Sequence, residues 1–212
     1  VPLRRCGYLV LGLLGFLASI TVAAQKVVKK TYVNANNDYI QIDSNNCYQV
    51  DLTTASGDEL SVEAIIDGEY KKDLVVNIEQ EGQTILVNTG FQPNFIFPND
   101  KLSAHKVVSI RLHITLPEYH DIRLYGTSSH VNATGNYKNL KVDLADGVCE
   151  LRNIGENVQV KTQRGTIYLF TDKGDILATS AYGTVSGSSI PSGDSVYDLR
   201  SVEGDIHLKK TE

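Results

Sequence analysis

Ser128, Ser129 and His130 stand side by side, which places two hydroxyl nucleophiles next to a base. Nucleophilic catalysis needs more than adjacency. The nucleophile, base and orienting group converge from separate parts of a fold onto an oxyanion hole. The chain also has no G-x-S-x-G elbow. His130 therefore reads as an exposed strand residue. His105, His113, His120 and His207 are scattered, and no Cys/His spacing resembles a zinc site, so no metal or cofactor is expected. Polysaccharide lyases and hydrolases built on β-helices need clustered carboxylates over several rungs. Asp146, Arg164, Tyr182 and Glu203 occupy comparable positions in four successive segments and form no carboxylate ladder. Asp175 and Asp205 each follow a glycine, the usual setting for an aspartate that caps a turn. These residues point to a non-enzymatic protein. A carbohydrate-active enzyme stays open as the alternative, to be supported by three or more acidic side chains in one groove.

Aromatic residues offer binding chemistry instead. "GFQPNFIFPND", residues 90 to 100, places Phe91, Phe95 and Phe97 with Ile96 between Pro93 and Pro98, and the whole chain has only five phenylalanines. Such rings could stack on a sugar or enter a partner's pocket. They could equally fold back and plug an end of the body, and this second reading is favoured because loops seldom leave three aromatics in water.

Strands must position these residues. Val50 and Leu52, then Leu60, Val62 and Ala64, then Leu74, Val76 and Ile78, then Ile85 and Val87 alternate with polar neighbours. Val108 to Leu116 is the longest such run, and Pro117 ends it because proline cannot donate to a ladder. "SGD", "DGEYKKD" and "EGQ" separate the runs as turn signals. One apolar face per strand fits antiparallel or mixed strands lying on a core.

After Pro117 the spacing becomes periodic. Gly147, Gly165, Gly183 and Gly204 are separated by 18, 18 and 21 residues, and Ser129 takes the glycine's place 18 residues before Gly147. Two alternating apolar positions precede and follow each of these residues, as Val158/Val160 and Ile167/Leu169 do around Gly165. Five copies of one strand–corner–strand unit result. A unit this short cannot bury its own apolar face, but stacked units can, at about 4.8 Å per rung. The expectation is an all-β fold: a β-solenoid or β-roll of about five rungs over residues 118–212, capped by a continuous strand array over residues 25–117. Gly147, Gly165, Gly183 and Gly204 turn its corners, while Tyr168 and Tyr182 fall on outward positions and could join a contact face.

Composition bounds the partners. The net charge of −5 and pI near 5.5 argue against nucleic acid, which needs a clustered basic surface. Residues 1–24 read as an export signal: Arg4 and Arg5, an apolar run, then "VAAQ" with small residues placed for a cut after Ala24. The rival is an uncleaved anchor; cleavage would leave no stable membrane span. Cys47 and Cys149 then remain. Export permits a disulfide between them, but Cys149 aligns with inward positions, and a buried free thiol is the expected state.

"VDLADGVCELRNIGENVQVKTQRGTIYL" and "LRSVEGDIHLKK" resemble the adhesin domain of exported bacterial proteins, also called the auto-transporter adhesin head or GIN domain. "VDLTTASGDELSVEA" and "ITLPEYHDIRL" extend the resemblance over roughly residues 33–208. It implies a β-solenoid or β-roll, a location in the periplasm, at the outer membrane or outside the cell, and no catalytic motif. The expected role is an adhesin-like module that binds a glycan, an envelope component or a protein partner. A structural or envelope-stress accessory protein is a further alternative. The oligomeric state is left open.

Overall fold

The computed structural model describes residues 25–33, 39–96 and 108–211. Residues 1–24, read as an export signal, lie outside the described residues, as do Phe97 and His105. Every regular element among the described residues is a strand. The order is β1 (Lys26–Tyr32), β2 (Tyr39–Asp43), β3 (Cys47–Ala55), β4 (Leu60–Gly68), β5 (Leu74–Glu81), β6 (Thr84–Phe91), β7 (Val108–Pro117), β8 (Asp121–Thr162), β9 (Thr166–Thr171), β10 (Asp175–Ser180), β11 (Val185–Gly187), β12 (Val196–Ser201) and β13 (Ile206–Lys210). They form one mixed sheet.

The 42-residue β8 cannot be straight, because its successive stretches pair with different strands. Residues 121–125 lie parallel to β2, and residues 130–133 lie parallel to β3. Residues 148–152 pair with β9, and residues 157–162 pair with β12. One bend falls at the Ser129 corner, and others where the backbone turns left-handed, at Gly135, Gly147, Asn153 and Glu156. The sheet therefore doubles over, and the alternation within each stretch sends apolar side chains into one enclosed core. Ile122 and Leu124, Leu140 and Val142, Val158 and Val160, Cys149 and Leu151, and Ile167 and Leu169 are all buried there. Each fully buried leucine contributes roughly 1.5–3 kcal/mol relative to exposure.

The N-terminal strands extend the same body. Beyond β3 come β7 in parallel, then β4 and β1, both antiparallel. Beyond β2 come β6 in parallel and β5 antiparallel. The residues around Ser44, at the β2–β3 corner, stack on the Ser129 corner.

The repeats pair in parallel and in register, but not in chain order. β12 and β13 pair with β8 and β9 on one side, and with β10 and β11 on the other. The last copy in the sequence is thus inserted between the two before it, and β10 and β11 form the terminal edge. A plain succession of turns is corrected in this respect. Apolar alternation fixes which way a side chain points. It does not fix which neighbour a strand chooses, because every copy offers the same parallel edge.

Candidate functional site

The corner column shows why glycine recurs. A Cβ on Gly204 would collide with the carbonyl oxygen of Gly165, and one on Gly183 with that of Gly204. Close approach of stacked backbones excludes a side chain there; only Gly147 of the four also has a positive φ, 97°. Each of the last three corners is braced by a hydroxyl three residues before the glycine. Thr162 Oγ1 donates to Gly165 O at 2.7 Å. Ser201 Oγ accepts from Gly204 N at 2.8 Å, and Ser180 Oγ accepts from Gly183 N at 3.0 Å. At the first corner Ser129 replaces glycine, is buried, and donates to Cys47 O at 2.7 Å. These groups are consumed by the fold.

Cys47 and Cys149 are buried free thiols. Burial pushes Cys149 up to about 12 and Cys47 up to about 11, so neither is a nucleophile at neutral pH. Among the described residues no three His, Cys, Asp or Glu side chains group as a metal site.

The aromatic residues divide into three places. Phe91 and Phe95 stack with centroids 4.4 Å apart. Tyr70, from the β4–β5 turn, meets both edge-on at 6.0 and 5.2 Å. Phe91 also packs against the core, while Ile96 beyond the cluster is exposed. Tyr168 lies on the outer face of β9 and stacks on His207 of β13 at 4.8 Å. His207 Nδ1 in turn bonds Ser186 Oγ at 2.9 Å. One step along, Arg152 covers the Phe170 ring at 3.7 Å, and Lys209 stands 5.2 Å from the same centroid. Tyr182 projects alone from its corner, 84% exposed. The structure therefore places Phe91 and Phe95 on β6 and just beyond it, several strands from Tyr168 on β9.

Where the outer ladder of Arg152, Phe170 and Lys209 ends, the chain opens a cleft of about 450 Å³. It is lined chiefly by Asn136, Asn153, Asp172, Lys173, Ser195 and Thr211. Its floor is Tyr197, a buried ring from inserted strand β12. The Tyr197 hydroxyl donates to Ile154 O at 2.5 Å and lies 3.3 Å from Thr171 Oγ1. Thr171 Oγ1 donates to Lys173 O at 2.9 Å. These bonds hold the β8 bend at 153–156 and the β9–β10 turn against β12. Asn153 sits in the left-handed region with φ 48°. The side chains of Asn153, Asp172 and Lys173 make no bond to other described residues and stay available to a ligand. Asn136 is held in place, donating its amide to Glu118 Oε1 at 3.0 Å. No sequence signal marks this cleft. Its walls come from five separate stretches of the chain, and the pairing of β12 brings them together.

No protein-family model matches the chain, and no curated protein does. Solved structures do. One, described as a putative cell adhesion protein from Clostridium sporogenes ATCC 15579, superposes with a TM-score of 0.55 at 14% identity, over 89% of this chain and all of that one. Another, described as a putative adhesin from Bacteroides fragilis NCTC 9343, is 11% identical over 89% of this chain and 98% of that one, with a TM-score of 0.36. At these identities the first likeness shows a common fold.

Proposed function

We propose that this chain is a non-enzymatic, adhesin-like module, exported to the bacterial envelope or beyond it, and that it holds a glycan in the cleft over Tyr197. The polar lining carries this reading. Amide, carboxylate, ammonium and hydroxyl groups surround a space large enough for a small ligand, within the range of known binding sites. Hydroxyl-rich ligands match such a lining because each hydroxyl both donates and accepts. A lipid tail would need apolar walls, and the lining offers few. Asp172 is the single carboxylate among the described lining residues, whereas glycoside hydrolysis ordinarily uses a pair. The Phe170 and Tyr168 ladder runs up to the cleft on β9, so a longer saccharide could continue along that face. The stacked pair Phe91 and Phe95 and the exposed Tyr182 would make separate contacts with a protein or envelope partner.

A glycan array probed with the purified chain, followed by calorimetric titration of the hits, tests this. The double variant Asp172→Ala, Lys173→Ala should lose at least tenfold in affinity, with an unchanged circular dichroism spectrum and melting temperature. Undiminished binding by that variant, or no saccharide bound by the parent, refutes the cleft as a glycan site.

A further inference from the structure

We infer that the β10–β11 edge is a self-association surface, through which two copies of this chain join end to end about a two-fold axis. Among the described residues both strands are paired on one side only. Asp175 N donates to Ser195 O and Ala181 N to Ser201 O, so the odd-numbered residues of β10 face β12. Alternation then turns the backbone N–H and C=O groups of Ile176, Ala178 and Ser180 toward the open edge. The core also runs out here. Ile176 and Ala178 are half-buried, and Val185 is 45% exposed. Their inner neighbours Tyr197, Leu199 and Ile206 are fully enclosed.

Exposed edges are normally blunted by charge, proline or covering segments. The opposite end of the sheet follows that rule, with Lys26, Lys29 and Lys30 on β1 and Glu79 and Glu81 on β5. The β10–β11 end does not. From Ile176 to Gly193 the chain has no Asp, Glu, Lys or Arg. That absence selects the occupant. A second copy meets an uncharged, half-apolar surface identical to its own, and no like charges are brought together. A two-fold axis across β10 makes the pairing antiparallel, satisfies both edges at once and closes the assembly. Tyr182, exposed at the adjacent corner, would be enclosed at the rim.

Sedimentation velocity of the full chain from about 1 to about 200 µM tests this. The expected result is a monomer–dimer equilibrium with the dimer dominant at the upper end. Ala178→Pro removes an N–H that faces the open edge and leaves the bonds to β12 intact, as edge strands allow. It should sediment as a monomer at every concentration with an unchanged melting temperature. Thr179→Lys, on the exposed outer face, should weaken the dimer at least tenfold, with recovery at high salt. A parent that stays monomeric throughout, or assembles beyond a dimer, overturns the inference. So does a folded Thr179→Lys variant that dimerises as the parent does.

Discussion

Removing one oxygen from Tyr197 isolates the bond that ties the inserted strand to the cleft. Tyr197 is 1% exposed, and its hydroxyl donates to Ile154 O at 2.5 Å. Tyr197→Phe keeps the ring and its packing, so no large cavity forms. It leaves the Ile154 carbonyl buried without its donor, and it removes the neighbour of Thr171 Oγ1 at 3.3 Å. An orphaned buried acceptor costs about 1–3 kcal/mol. For a chain of this size, a loss of about 2 kcal/mol lowers the melting temperature by roughly 4–8 °C. Urea unfolding should show a lower midpoint at unchanged slope, because the exposed area does not change. The same variant should loosen the β8 bend at 153–156, whose Asn153 and Glu156 hold left-handed backbone, and amide exchange there should quicken more than in β3 or β7. A stability change under about 0.5 kcal/mol, or uniform exchange across the chain, would show that this hydroxyl does not fasten the bend.

Further outcomes follow from the same structure. Gly204→Ala sets a methyl against the Gly165 carbonyl and should cost about 3 kcal/mol or prevent folding, whereas Gly90→Ala, with open space around it, should stay within about 0.5 kcal/mol in the same urea assay. Burial alone would raise the Asp51 carboxyl, but hydrogen bonds from Asn132, Gln49 and Arg111 and the Arg111 charge outweigh it and hold the group below the ordinary carboxylate range. Because its folded value is the lower one, its contribution is complete above about pH 4 and is lost as pH falls through that lowered value. Asp51→Asn should therefore cost about 1 kcal/mol at pH 7, after allowance for solvent screening, and should flatten the acid limb of a stability–pH curve. Cys47 and Cys149, buried with raised thiols, should resist Ellman's reagent at pH 8 in the folded chain and react fully in denaturant; prompt reaction of the folded chain would contradict their burial.

Much of the local structure was legible from residue order. Val158, Val160, Ile167 and Leu169 alternate with polar neighbours, and all four are buried while their neighbours face out. A strand's period of two allows no other outcome once one face meets a core. The corner positions were legible too, since a spacing of 18 brings Ser129, Gly147 and Gly165 into one column. The reason for glycine at Gly165, Gly183 and Gly204 was not, because it lies in the carbonyl of the adjacent rung and not in the residue's own φ. Tyr168 was placed outward from the repeat, but its stack on His207 required knowing that β13 lies beside β9.

The alternation by itself thus determined an all-β chain, the inward and outward faces of its strands, and the places where it bends. Tertiary structure decided the order of the stack, the open edge at β10 and β11, and the cleft over Tyr197. The physical reason is range. Inward or outward pointing is settled within two residues, while the choice of a parallel neighbour is made among equivalent edges distant in sequence. Only the packed body, by setting β12 between its predecessors, brings Asn153, Asp172 and Lys173 around one space.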